Sequence, residues 1–152
     1  MLAGGAGERR RDGLLMAALA FAALLVALYL AAVKLTGGSP VCGPLAGCDT
    51  VNSSIYSELL GVPVALFGAL ASAAVLGAAV WWWIRGARWA LLAAYLIGLA
   101  SLPFLAYLTY LELFVIGAIC VWCVTYALLV IGGWLVATAT LIGRRRIPAP
   151  PS

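Results

Sequence analysis

Four long apolar runs, broken by short polar stretches, carry most of this chain. They cover Leu14 to Leu35, Val62 to Ile84, Trp89 to Leu111 and Val115 to Ile142. Each holds about twenty or more residues, enough for a helix to cross the hydrocarbon core of a bilayer. None shows the two-residue alternation of a membrane-barrel strand. The expected fold is therefore an all-α integral membrane protein, a bundle of four transmembrane helices spanning residues 14–142.

The breaks between the runs differ in kind. Thr36-Gly37-Gly38-Ser39-Pro40 ends the first run and opens a loop over 36–61. Gly and Pro punctuate the first half of that loop. Its second half predicts a short half-helix capped by Asp49 or Thr50, with Val51, Ile55 and Leu59 on one face. Trp81-Trp82-Trp83 reads as an interfacial aromatic belt, and Arg85-Gly86-Ala87-Arg88 as a tight basic turn. Glu112, between the third and fourth runs, reads as a solvated turn residue. The Gly-rich segment 1–13 and the Arg- and Pro-rich segment 143–152 read as disordered tails. The first run is too long for a signal-peptide core of about 7–15 residues, so it reads as a retained span.

Composition removes the soluble alternatives. Of 152 residues, 66% are hydrophobic and only 9% are charged, more apolar surface than a domain this small can hide. The net charge of +4 does not indicate a nucleic-acid surface, because the basic residues sit at the ends of apolar runs. Of the nine, only Lys34 falls at the end opposite to Arg9–Arg11, Arg85, Arg88 and Arg144–Arg146. The positive-inside rule makes the arginine side cytoplasmic, with both termini. The chain has no histidine, which removes the commonest metal ligand and the commonest general base.

The candidate chemistry is sulfur chemistry. Cys42 and Cys48 lie in the loop, and Cys120 and Cys123 at the start of the fourth run; the topology puts all four on the outer side, where thiols can be oxidised. Residues three apart on a helix share a face, so Cys120 and Cys123 can form a dithiol or a disulfide. A static bond between adjacent turns removes little chain entropy, which favours a pair that opens and closes. Cys42 and Cys48 suit either a relay or a structural staple. A four-cysteine zinc site fits the C-x5-C half poorly, and no metal is expected. Haem attachment would need a histidine where Val124 stands. A helix N-terminus stabilises a thiolate. The apolar neighbours Ile119, Val121, Trp122 and Val124 exclude an aqueous electron carrier and admit a lipid-soluble quinone. The expected circuit runs from thiols in the outer compartment, through Cys42/Cys48 and Cys120/Cys123, to a membrane quinone.

These residues resemble the vitamin K epoxide reductase family in its bacterial form. The resemblance rests on the loop pair Cys42 and Cys48, the run Cys48-Asp49-Thr50-Val51-Asn52-Ser53-Ser54, the segment Gly61-Val62-Pro63-Val64-Ala65-Leu66-Phe67-Gly68, and Cys120-Val121-Trp122-Cys123. It covers roughly residues 14 to 142. It implies a four-helix bundle around a quinone (menaquinone or ubiquinone). Cys123 then faces the quinone, Cys120 exchanges with Cys48, and Cys42 takes electrons from a partner. The implied partner is a separate extracytoplasmic thioredoxin-fold thiol oxidase, since no fused thioredoxin-like domain is seen. The implied location is the bacterial inner membrane. Ser54 and Trp122 are further candidates for quinone contact. Ala127 stands where animal members carry a tyrosine, with Tyr126 one residue earlier. The rival readings are vitamin K epoxide reduction proper and a non-catalytic scaffold with structural disulfides.

Overall fold

The computed structural model describes residues 2–43 and 47–145. Five α-helices are present among them: α1 (Leu2–Leu35), α2 (Gly47–Ser53), α3 (Val64–Arg85), α4 (Arg88–Tyr110) and α5 (Val121–Arg145). A π-helical turn, Leu111–Ile116, extends α4. Four of these segments are long and apolar enough to cross a membrane: 5–35, 64–85, 88–116 and 121–143. The chain is thus a multi-pass membrane protein built as an all-α bundle. α1 packs against α3 and α5, and α4 against the same two, which closes an up-down-up-down ring of four.

The first helix starts earlier than the apolar pattern predicts. Residues 2–13, read from sequence as a disordered tail, form the first turns of α1. Ala, Glu and Arg are good helix formers and no proline intervenes, so the helix of the span propagates backwards despite its glycines. Asp12 then ties α1 to α5 by accepting a hydrogen bond from the Thr140 hydroxyl (3.2 Å). At the other end Gly37, with φ +70°, stops α1. The Gly38 N–H donates to the Val33 carbonyl (3.0 Å) and the Gly37 N–H to that of Lys34 (3.3 Å), the paired bonds of a Schellman cap. The C-terminal segment beyond Arg145 lies outside the described residues.

The start of the fourth span is also corrected, from about 115 to Val121. The run Leu113–Ile119 carries no polar residue, so hydropathy cannot locate the turn inside it. Gly117 locates it: its φ of +69° is open to glycine and costs other residues. The second span begins at Val64 rather than Val62, because Val62–Pro63 pairs with Glu58–Leu59 as a two-residue hairpin. The loop half-helix ends at Ser53, and a 3-10 turn follows at Ile55–Ser57. Ile55 and Leu59 are consequently exposed and do not share a buried face with Val51.

The bundle is closed at one end and open at the other. At the arginine end Met16, Ala79, Trp82, Ala90, Leu91 and Ala137 form a packed cluster. Trp82 belongs to this core, whereas Trp81 is exposed. Three consecutive helical residues point about 100° apart, so the Trp triplet cannot all face one interface. Small residues let the helices approach. A Cβ on Gly98 would come within 2.9 Å of the Trp134 ring. At the cysteine end the helices part around a cavity of about 500 Å³.

Candidate functional site

The loop is seated on the bundle by three tethers. Lys34 donates to the Asn52 carbonyl (2.7 Å) and pairs with Glu58 (3.4 Å), holding the loop to the end of α1. Ser39 donates to the Asp49 carboxylate (2.8 Å), so Asp49 joins two parts of the loop instead of capping α2. The third tether clamps Val41, next to Cys42. Its N–H donates to the Tyr29 hydroxyl (2.9 Å), and its carbonyl accepts from the Trp122 indole N–H (2.9 Å). The Tyr29 and Trp122 rings lie 4.9 Å apart and tilted by 47°.

Cys42 and Cys48 are joined as a disulfide with Cα atoms 6.1 Å apart. Cys48 is fully buried and Cys42 is half-buried. Gly47 explains how the pair comes to the bundle. A Cβ at that position would fall on the Ile119 carbonyl oxygen and within 2.8 Å of the Ile119 nitrogen. α2 therefore lies directly on the backbone just before Cys120, an approach that only glycine permits. The loop disulfide is thereby seated close to the backbone that leads into the second pair.

Cys120 and Cys123 are free thiols. The fourth span starts one residue after Cys120, and the Cys120 sulfur accepts the Cys123 N–H at 3.3 Å. The Cys120 carbonyl accepts from Val124 at 3.0 Å. Cys120 is thus the N-cap of α5, with sulfur in the place usually taken by oxygen. A hydrogen bond from the Cys123 thiol holds Cys120 below the ordinary thiol range. Burial and the nearby Glu112 charge oppose that shift, and the N–H groups of Cys123 and Trp122 assist it.

Glu112 is the principal correction to the sequence reading. It is not a solvated turn residue: it is 6% exposed and sits in the π turn. Its Oε2 accepts the Cys120 N–H (3.3 Å), and it borders the same cavity as Cys123. The reversal at Gly117 folds the end of the third span back beside the start of the fourth, which brings Glu112 to the thiols. The signal was present in the sequence, since an acidic residue within an apolar run is a functional candidate by default.

The cavity is lined by apolar side chains from all four spans, together with Cys120, Cys123, Glu112, Ser54 and Tyr126. A largely apolar pocket with a few converging polar groups suits an apolar ring compound. Ser54 reaches it, although its hydroxyl donates to the Val51 carbonyl (2.7 Å). Trp122, the other sequence candidate for quinone contact, is not among the cavity-lining residues; its ring is engaged with Tyr29 and Val41. Successive helix positions point about 100° apart, so Trp122 and Cys123 face different ways. Tyr126 and Ala127 both border the cavity. The Tyr126 hydroxyl donates to the Gly68 carbonyl (3.0 Å) and lies 3.2 Å from the Ser72 hydroxyl.

The profile of the Vitamin K epoxide reductase family matches residues 14–138, most of the chain. The chain belongs to that family. Membership makes it a membrane oxidoreductase of the thiol–disulfide and quinone class. The family uses quinones generally, and the apolar cavity beside the free thiols is compatible with a quinone ring.

Proposed function

We propose that this protein is a quinone-dependent thiol–disulfide oxidoreductase that reoxidises an extracytoplasmic thioredoxin-fold partner and so supports disulfide bond formation. The observation that carries the reading is the arrangement of the two pairs. An oxidised pair, Cys42–Cys48, is seated by Gly47 against the turn that leads into a reduced pair, Cys120 and Cys123. The reduced pair borders an apolar cavity.

The circuit runs in three exchanges. A partner dithiol reduces the loop disulfide, entering at the more accessible Cys42. The loop dithiol, through Cys48, then reduces a Cys120–Cys123 disulfide by attack of thiolate on sulfur. A quinone (menaquinone or ubiquinone) supplies the terminal oxidation, taking two electrons and two protons from the dithiol. Cys120, as a helix cap, is held as the better thiolate and is the exchanging member. Cys123, one turn into α5, is the quinone-side member. The arginine side is cytoplasmic and the cysteine side faces outward in a bacterial inner membrane. The separation of basic residues supports that orientation.

The test is anaerobic redox titration of the purified protein with a membrane quinone and a reduced thioredoxin-fold protein. Quinol should form in step with oxidation of the partner, and Cys123→Ala should abolish it. Absence of quinol from the wild-type protein, with Cys123→Ala indistinguishable from it, would sink the reading in favour of a structural scaffold.

A further inference from the structure

The electron circuit leaves one buried ionisable group without a role. Among the described residues Glu112 is the one acidic side chain that is buried. A carboxyl inside a membrane span is costly and is retained for function by default. Glu112 touches the pair through the Cys120 N–H (3.3 Å). It lines the cavity together with Cys123. It lies in a π turn, a local widening frequently found at functional sites.

Oxidation of the dithiol releases protons as well as electrons, and the cavity offers few groups to take them. Lys34 lines it but is engaged with Asn52 and Glu58. Tyr126 donates to the Gly68 carbonyl, and a phenol is a poor acceptor near neutral pH. α2, packed against the π turn, brings Cys48, held in its disulfide, and Asp49, exposed and bonded by Ser39. Tyr107 and Tyr110, on the adjoining end of α4, are exposed. Among the described residues Glu112 is the one carboxyl in the cavity lining.

We propose that Glu112 is a catalytic proton carrier that takes the Cys123 thiol proton as the pair is oxidised and hands it to a quinone oxygen in the cavity. The step balances. The Cys123 S–H bond breaks and a carboxyl O–H bond forms. The Cys120–Cys123 bond closes as two electrons pass to the quinone. The carboxyl then returns its proton to one quinone oxygen. The Cys120 proton is released when its thiolate forms at the helix cap, and the second quinone oxygen takes one proton from water. This assignment rests on the quinone-linked reading above.

Two measurements test it. The first is anaerobic oxidation of the reduced protein in nanodiscs by menadione, a soluble naphthoquinone, across a range of pH. Glu112→Gln keeps the shape and an acceptor for the Cys120 N–H but cannot carry the proton. Its rate of quinol formation should fall by about 100-fold or more, the usual size of a lost acid–base group, and Glu112→Asp should be intermediate. A Glu112→Gln rate within twofold of wild type, with the same pH profile, overturns the proposal. The second uses no quinone and no variant that must fold. Infrared difference spectra of the wild-type protein, between its dithiol and disulfide states, should show a buried carboxyl band that changes with oxidation. Absence of that band overturns the proposal even if the variant is unstable. Failure of wild-type protein to form quinol would strike the quinone reading instead, while the infrared band still reports on Glu112.

Discussion

The Trp122 indole N–H is bonded at 2.9 Å to the carbonyl of Val41, 81 residues away in sequence. The bond joins the two cysteine pairs mechanically. Trp122 lies between Cys120 and Cys123, and Val41 adjoins Cys42. The residue inside the second motif therefore holds the chain that presents the first.

Trp122→Phe keeps a ring against Tyr29 and removes only that bond. A net hydrogen bond is worth about 1 kcal/mol, so the fold should survive with a small loss of thermal stability. The loop disulfide should become easier to reach. Reduction of Cys42–Cys48 by a small dithiol should accelerate several-fold in the variant, read by thiol labelling over time. Unchanged labelling kinetics would mean that Tyr29 alone holds Val41.

Gly47→Ala addresses the approach of the two pairs. Its Cβ must displace the Ile119 backbone or lift α2. Backbone cannot yield as a flexible side chain can, so α2 should move away from Cys120. In a Cys42→Ser, Cys123→Ser background, the yield of the Cys48–Cys120 disulfide should fall at least severalfold when Gly47→Ala is added. Mass spectrometry of the trapped bond measures this directly. An undiminished yield would show that Cys48 reaches Cys120 by another route.

The cap at Cys120 predicts a pH response. A thiol whose ionised form is stabilised loses its proton at lower pH than usual. Below its pKa the group is inert S–H, and above it the reactive thiolate. Cys120 is lowered first by the Cys123 thiol hydrogen bond. The thiolate absorbance of the reduced protein should therefore show its first rise below the ordinary range of a thiol. Cys123→Ala removes the largest cause and should move that rise upward, leaving the weaker help of the backbone N–H groups. A rise that does not move would assign the effect to the helix terminus alone.

Gly98→Ala tests packing away from the cysteines. The new Cβ would lie 2.9 Å from the Trp134 ring, so α4 and α5 must separate or the indole must turn. Overpacking of this kind costs about 1–3 kcal/mol. The midpoint of thermal unfolding in detergent should drop, while thiol exchange at low temperature should persist. An equal or higher midpoint would mean that the indole relaxes freely.

The sequence by itself determined the spans, the clustering of arginines at one end and the two cysteine pairs. Each of these is local. A span needs only length and hydropathy. The arginines announce themselves at the ends of apolar runs. Cys120 and Cys123 are one helical turn apart wherever that helix lies. Glu112 and Gly47 were not legible in the same way. Glu112 looked like a turn residue because it was the only charged residue between Trp89 and Gly117, and hydropathy has no means of telling a turn from a buried carboxyl. Gly47 looked like loop punctuation until Ile119 lay against it. The cavity, the seat of the loop pair and the bond of Glu112 to the Cys120 N–H depend on residues distant in the chain. They arise where four helices part and one reversal, at Gly117, sets the third beside the fourth. Local pattern carries no record of that meeting, because it is made by packing between elements and not by the preferences of any one of them.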